Sequence, residues 1–160
     1  MALGYATKVG ALGALTNVEN VTGGSGDDVL VGDDNDNVLK GLAGRDVLIG
    51  GKGADQLYGG EDQDLMIASD TAFDKNGGWL ETIRSTWASK GKIEDRMNQL
   101  KVGVGGVQLN DTTLHLTATT DDKAVDQLFG DDDGATNASD WFWANSAQDV
   151  LTSLTGEYFK

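Results

Sequence analysis

Residues Gly23–Ile67 read GGSGDDVLV GDDNDNVLK GLAGRDVLI GGKGADQLY GGEDQDLMI, five nine-residue units in one register without a gap. Each unit opens on Gly, carries Asp or Asn at its sixth place (Asp28, Asn37, Asp46, Asp55, Asp64) and a large apolar residue at its eighth (Leu30, Leu39, Leu48, Leu57, Met66). Self-similarity at a short fixed period marks a solenoid and decides the fold before any other feature. The first six places are mostly glycine and small polar residues, which turn the chain because Gly reaches positive φ without steric cost. The last three are β-rich triplets such as Val29-Leu30-Val31, which form short strands. Turn, strand, turn, strand closes one coil in two units, or 18 residues. Side chains alternate along a triplet, so the eighth place points inward and the seventh and ninth point outward. Five units make about two and a half coils, roughly 12 Å of stack at the inter-strand spacing.

Stacking sets each turn over the turn two units on. Asp28 lies over Asp46, Asp46 over Asp64, and Asn37 over Asp55, each pair about 5 Å apart at the backbone. Two carboxylates at that distance repel by about 1–3 kcal/mol, depending on the effective dielectric. One thin aliphatic column is too small a core to offset a stack that opposes itself. A hard cation with many oxygen ligands removes the repulsion and also uses the turn carbonyls. Small turn residues and oxygen donors suit Ca²⁺, which takes six to eight oxygens flexibly, better than Mg²⁺.

The five units resemble the GGxGxDxUx nonapeptides of the RTX, or haemolysin-type calcium-binding, family. The match covers 45 of 160 residues, with all five units in phase. The resemblance implies a mostly β fold: a parallel β-roll, or right-handed β-solenoid, with several Ca²⁺ ions, at least three, held between turns. It also implies the ligands. The second, fourth and sixth residues of one turn join the first, third and sixth of the turn two units on, with carboxylates from the sixth places and backbone carbonyls from the others. Carried onto this sequence, one site is Gly24, Gly26 and Asp28 with Gly41, Ala43 and Asp46. A second is Leu42, Gly44 and Asp46 with Gly59, Glu61 and Asp64. On the opposite edge, Asp33, Asn35 and Asn37 meet Gly50, Lys52 and Asp55, and Gly51, Gly53, Asp55 and Asp70 are candidates for a capping site. Asn37 replaces a carboxylate by a neutral amide and weakens its site. Leu42, Asn35 and Asp62 stand where glycine is usual and are expected to strain their turns.

The outward places of the odd units are Val29, Val31, Val47, Ile49, Leu65 and Ile67, all apolar; those of the even units include Val38, Lys40, Gln56 and Tyr58, which are mixed. A contiguous apolar face needs a cover. Trp79, Ile83 and Trp87 follow at helical spacing with Leu80 beside them, and Ile93, Met97 and Leu100 mark a second amphipathic helix ending near Gly103. The expectation is a helical hairpin inserted at 71–106 and lying on the odd face. From Val107 to Thr120 the pattern turns to strand, with His115 a surface residue between Leu114 and Leu116. The nine-residue phase then returns. Asp126 and Leu128, Asp140 and Phe142, and Asp149 and Leu151 take sixth and eighth places, so stacking brings Asp126 and Asp149 to one edge as further ligand candidates. The acidic turn Asp131-Asp132-Asp133 is another ion candidate. The chain thus divides into a lead-in at 1–22, the repeats at 23–70, the insertion, and a divergent continuation of the roll at 107–160. Ala14–Thr22 reads as a degenerate zeroth unit with Glu19 sixth.

The formal charge of −14 argues against nucleic acid and anionic membranes, whose recognition needs basic surface. With no Cys there are neither disulfides nor thiolate metal sites, and a single His makes a His-based triad or zinc site a poor fit. Met1–Gly13 has no basic segment ahead of a long apolar run and does not read as a signal peptide. No apolar stretch reaches the length of a membrane span. The tripeptides at Asn20, Asn110 and Asn137 match a glycosylation sequon, a pattern frequent by chance.

Three function classes follow. The leading one is a non-enzymatic calcium-binding module of a secreted or surface bacterial protein, folding on extracellular Ca²⁺; the resemblance adds support of type I secretion. The second is an enzyme, against which stands the lack of an HExxH helix or a GxSxG elbow. The third is a Ca²⁺-dependent adhesion module binding a glycan or cell-surface ligand through Tyr58, Trp141 and Trp143. The two tryptophans flank the inward Phe142, so they point out of the coil toward either a ligand or the insertion.

Overall fold

The computed structural model describes residues 4–8, 11–15, 19–110, 112–115, 123–130, 139–144, 149–152 and 158–159, with the backbone alone at 4–8, 11–15 and 158–159. The repeat triplets fold as short strands: β3 (Asn20–Thr22), β4 (Val29–Val31), β5 (Val38–Ala43), β6 (Val47–Ile49), β7 (Gln56–Glu61) and β8 (Leu65–Ile67). Every one pairs in parallel with the strand 18 residues away: Val29 with Val47, Val47 with Leu65, Val38 with Gln56. Two parallel stacks therefore face each other across a column of eighth-place side chains. Leu30, Leu39, Leu48, Leu57 and Met66 are buried together there, as the alternation along a triplet requires. This is a parallel β-roll. The degenerate zeroth unit joins it, since β3 pairs with β5 and Val21 packs at the end of the inner column.

The nine-residue phase after the insertion also continues the roll. β9 (Gln127–Phe129) stacks on β7, β10 (Trp141–Trp143) on β8, and β11 (Val150–Thr152) on β9, placing Leu128 and Phe142 in the same inner column. The chain leaves an odd strand at Ile67 and rejoins an even one at Gln127, so the insertion occupies a single half-coil.

Its two helices are α1 (Gly77–Trp87) and α2 (Ile93–Val102). Asn76 caps α1, its Oδ1 accepting from the amides of Gly78 (3.1 Å) and Trp79 (3.2 Å). Glu94 and Asp95 open α2 and Lys101 lies in its last turn, matching the helix dipole. The chain leaves α2 through Gly103 at φ 112°. Leu80, Ile83, Trp87, Ile93, Met97 and Leu100 form a second core with all six outward residues of the odd face. The hairpin covers the face whose apolarity demanded it.

Three features differ from the sequence reading. The lead-in contains a hairpin, β1 (Gly4–Lys8) and β2 (Ala11–Leu15), whose first strand pairs antiparallel with β4 through Tyr5–Val31, which leaves β2 at the edge of the odd sheet. The strand expected over Val107–Thr120 is not formed in its described part: Val107 makes one bridge to Val104, and residues 112–115 are a turn. The cause is Asn110, whose Oδ1 accepts from the amides of Thr112 (3.0 Å) and Thr113 (3.1 Å), a local turn that competes with strand. His115 accordingly sits at φ 50° with Nδ1 2.9 Å from Asp70 Oδ2, half-buried rather than on a surface strand. Trp141 and Trp143 are 0% and 1% exposed and tilt against each other and Trp87, so they serve the covered core and offer no ligand platform. The turn Asp131-Asp132-Asp133 and residues 116–120 lie outside the described residues.

Candidate metal centre

Each sixth residue ends a turn and enters a strand, and its backbone is engaged on both sides. Its carbonyl accepts from the seventh amide of the next coil, as from Val47 to Asp28 (2.9 Å) and from Leu65 to Asp46 (2.9 Å). Its own amide donates to the carboxylate of the sixth residue one coil on. Along the odd edge this gives Asp28 N to Asp46 Oδ1 (2.7 Å), Asp46 N to Asp64 Oδ1 (2.8 Å) and Asp64 N to Asp140 Oδ1 (2.7 Å). Along the even edge it gives Asn37 N to Asp55 Oδ1 (2.8 Å), Asp55 N to Asp126 Oδ1 (2.7 Å) and Asp126 N to Asp149 Oδ1 (3.1 Å). The sixth-place acids thus form two columns, one per edge, each rung joined to the next by one hydrogen bond through Oδ1.

The second carboxylate oxygen is the informative one. Asp28 Oδ2 accepts from Gly24 N at 2.7 Å, but the Oδ2 atoms of Asp46 and Asp64 are buried without a hydrogen-bond partner. A buried anionic oxygen with no donor is costly and signals a missing positive partner. These oxygens turn back beneath the first glycine of their own units. A Cβ at Gly41 would overlap Asp46 Oδ2 and stand 2.5 Å from the Gly59 carbonyl; one at Gly59 would overlap Asp64 Oδ2. Glycine at the first place is therefore a steric requirement of the carboxylate fold-back. Burial, followed by the negative charges of Asp28, Asp27 and Asp62, raises the Asp46 carboxyl to about 7 against the hydrogen bond from Asp28 N. Burial, with the charges of Asp140 and Asp46, holds Asp64 well above the ordinary carboxylate range.

The turns around the columns stack in the same register. Ala43 N donates to Gly24 O (3.2 Å), a Cβ on Gly44 would stand 2.7 Å from the Gly26 carbonyl carbon, and Leu42 and Ala43 pair with Gly60 and Glu61. The residues of the two odd-edge sets, Gly24, Gly26, Asp28, Gly41, Ala43 and Asp46, then Leu42, Gly44, Asp46, Gly59, Glu61 and Asp64, are thus brought together. On the even edge Lys52 N donates to Asp33 O (2.9 Å), and Asn37 Oδ1 accepts from Asp33 N (2.7 Å), gathering Asp33, Asn35, Asn37, Gly50, Lys52 and Asp55. The capping set is placed otherwise. The acid stacked on Asp55 is Asp126, while Asp70 lines a cavity with Gly51 and carries its carboxylate against His115.

Of the residues standing for glycine, Leu42 (φ 84°) and Asp62 (φ 74°) occupy the left-handed region, whereas Asn35 does not. Leu42 and Asp62 therefore carry backbone strain and Asn35 carries none of that kind. Among the described residues no three His, Asp or Glu side chains converge on a point. Two carboxylates per odd-edge gap, or one carboxylate and the Asn37 amide oxygen on the even edge, with the turn carbonyls make an all-oxygen donor set, and each carbonyl that accepts one amide keeps a second lone pair. Such a set fits a hard cation. Asp140, the sixth place of the stretched unit Gly130–Trp143, takes the fourth rung of the odd column, its Oδ1 accepting from Asp64 N. The fifth places Asp27, Arg45 and Gln63, which hold the insertion, have no shared residue type that a repeat pattern would reveal.

The family model of the RTX calcium-binding nonapeptide repeat, in four copies, matches residues 17–39 and 31–66. No curated protein matches the chain.

Proposed function

We propose that this chain, whose residues 17–66 match the family model of the RTX calcium-binding nonapeptide repeat, is a β-roll module that folds as it takes up Ca²⁺ between stacked turns. The observation that carries this reading is the pair of buried, partnerless carboxylate oxygens on Asp46 and Asp64, in columns whose rungs repeat every 18 residues. A divalent ion supplies the positive charge that these oxygens otherwise obtain only by holding a proton. Two odd-edge ions share Asp46, one between Asp28 and Asp46 and one between Asp46 and Asp64, completed by the turn carbonyls of the two sets above. A third lies on the even edge between Asn37 and Asp55 and binds more weakly, because an amide brings no charge. Asp126 and Asp149 extend that edge. Asp70 lines a cavity with Gly51, its carboxylate 2.9 Å from His115 Nδ1, and is the candidate cap of that edge.

Because the sites assemble only when turns stack, ion-binding energy becomes folding energy. Multi-carbonyl sites of this kind work at roughly 10⁻⁴–10⁻³ M Ca²⁺, a concentration found outside cells. The module is therefore suited to a chain that stays open inside the cell and folds outside, in a secreted or cell-surface bacterial protein where it supports secretion and stability and performs no catalysis. No helix among the described residues is long and apolar enough to cross a membrane. Circular dichroism of the full chain with millimolar Ca²⁺ and with excess chelator tests the coupling. Chelation is expected to abolish most of the β signal and Ca²⁺ to restore it; a spectrum unchanged by complete chelation rejects the reading.

A further inference from the structure

All three arginines of the chain, Arg45, Arg84 and Arg96, lie along one seam between the helical hairpin and the fifth places of the odd turns. The three fifth places, Asp27, Arg45 and Gln63, each immediately precede an odd-edge aspartate. At the first, Asp27 O accepts from Arg84 Nη1 (3.5 Å), and Asp27 Oδ1 accepts from Arg45 N (2.9 Å). At the second, Arg45 Nη1 donates to Ser89 O (3.0 Å) and Ala88 O (3.5 Å), closing the carbonyl end of α1 with a cation where the helix dipole favours one. At the third, Gln63 O accepts from Trp87 Nε1 (2.8 Å) and Gln63 Oε1 from Arg96 Nη2. Arg96 is fully buried, with its guanidinium 4.8 Å over the Trp87 ring and Nη1 donating to Trp87 O at 3.0 Å. The even fifth places share the ladder bond, Ala54 N to Asp36 Oδ1 at 2.9 Å, but Asp36 and Ala54 are exposed.

We infer that the helical hairpin is a clasp for the odd edge, holding Asp27, Arg45 and Gln63 in register so that the odd-edge ions bind more tightly than the even-edge ion. The inference rests on the calcium reading above and deepens it by naming positioning residues outside the repeat's own ligand pattern. A site whose competent geometry is only fractionally populated loses affinity by that fraction. On the even edge the ladder bonds alone hold the turns, among them Lys52 N to Asp33 O (2.9 Å) and Asn37 N to Asp55 Oδ1 (2.8 Å), with no helix of the hairpin gripping its fifth places among the described residues. On the odd edge the apolar cover and the five seam residues Arg45, Gln63, Arg84, Trp87 and Arg96 already fix three successive turns at the coil spacing. The arginines also place positive charge beside the acidic column before the ion arrives. Positioning and charge oppose each other once Ca²⁺ is present, since a nearby cation repels it, and the clasp account requires positioning to win.

Calorimetric Ca²⁺ titration of the full chain, with tryptophan emission followed in parallel, separates these terms. The wild-type chain is expected to show two affinity classes, the emission of the covered tryptophans tracking the tighter one. Arg45→Met, which keeps the aliphatic stem and removes the bonds to Ala88 and Ser89, is expected to weaken the tight class about tenfold, the scale of a charge-assisted hydrogen bond, and to leave the weak class unchanged. Arg45→Lys, which retains a donor and a charge, is expected to recover part of that loss. Asp36→Ala, at the even fifth place, is expected to leave the tight class as it is. A tight class unmoved or strengthened in Arg45→Met, or both classes weakened equally as a general loss of stability would produce, overturns the clasp while Ca²⁺ still folds the chain. A wild-type chain that binds no Ca²⁺ overturns the calcium reading itself.

Discussion

On the odd edge of the roll four aspartates, Asp28, Asp46, Asp64 and Asp140, stand in one column. On the even edge Asn37 follows Glu19 of the zeroth unit and precedes Asp55, Asp126 and Asp149, so an amide interrupts that column. The odd strand face behind the first column is apolar and buried under two helices; the even face keeps Lys40 exposed and stacks Tyr58 on Phe129 with ring centroids 4.6 Å apart. Both edges come from one nine-residue rule, and both obey its backbone ladder. The rule therefore sets the coil register, while the places it leaves free decide which edge is charged, covered and clasped. Seventh and ninth places choose the cover, and fifth places choose what the cover grips.

The largest expected effect breaks the feature both edges share. Gly41→Ala sets a methyl into Asp46 Oδ2 and 2.5 Å from the Gly59 carbonyl, and neither the backbone nor a ladder-bound carboxylate can withdraw. It is expected to cost about 3 kcal/mol or more in denaturant unfolding with Ca²⁺ present, whereas Gly26→Ala, whose added methyl meets nothing within 4 Å, should stay within about 0.5 kcal/mol. Similar losses in both would remove the steric basis of the first-place glycine.

The next effect separates rungs within the odd column. Asp46→Asn retains the Oδ1 acceptor for Asp28 N but halves the charge in two gaps, while Asp28→Asn affects one. Equilibrium dialysis is expected to find two ions lost in the first variant and one in the second; equal losses would contradict the shared rung. Asn37→Asp then narrows the difference between edges. With Ca²⁺ it is expected to tighten the even-edge ion on the order of tenfold, because ligand charge tunes such sites. With only enough Ca²⁺ to fill the tighter odd-edge sites, it should lower thermal stability by adding a carboxylate beside Asp55. No change in either condition would mean that Asn37 is not at an ion site. The smallest effect is Leu42→Gly, which relieves a φ of 84° at a residue 45% exposed. It is expected to stabilise the chain by about 1 kcal/mol, the left-handed penalty less the added chain entropy.

The period of Gly23–Ile67 made the coil, its inner column and both acid columns readable, because one residue type per place repeats under a strict geometric constraint. The apolar odd face and the helical spacing of Ile83 and Trp87 made the cover readable for the same reason, but Trp79, read as part of that stripe, is 39% exposed with its ring edge-on to Phe73, and Leu80 takes the core place instead. Where no period acts, the reading fails for identifiable causes. The β1–β2 hairpin depends on antiparallel pairing with β4, a long-range edge contact that GYATK and ALGAL do not announce by alternation. The turn at 112–115 is held by the Asn110 side chain together with the Thr113 hydroxyl, which accepts from Asn110 N and donates to Gln108 O, and these outweigh the strand pattern around Leu114. Trp141 and Trp143 point outward as their places demand, yet outward on the odd side means into the covered core. The seam at Asp27, Arg45 and Gln63 is written in three unlike residues, each matched to the helix partner it meets.

Anomalous diffraction from crystals of the full chain grown with Ca²⁺ tests the central claim most directly. Calcium peaks are expected between Asp28 and Asp46 and between Asp46 and Asp64, with Asp46 contributing to both, and a third of lower occupancy between Asn37 and Asp55. A roll folded in this register with no ion in the two odd-edge gaps, or with calcium only at other acids, would contradict it.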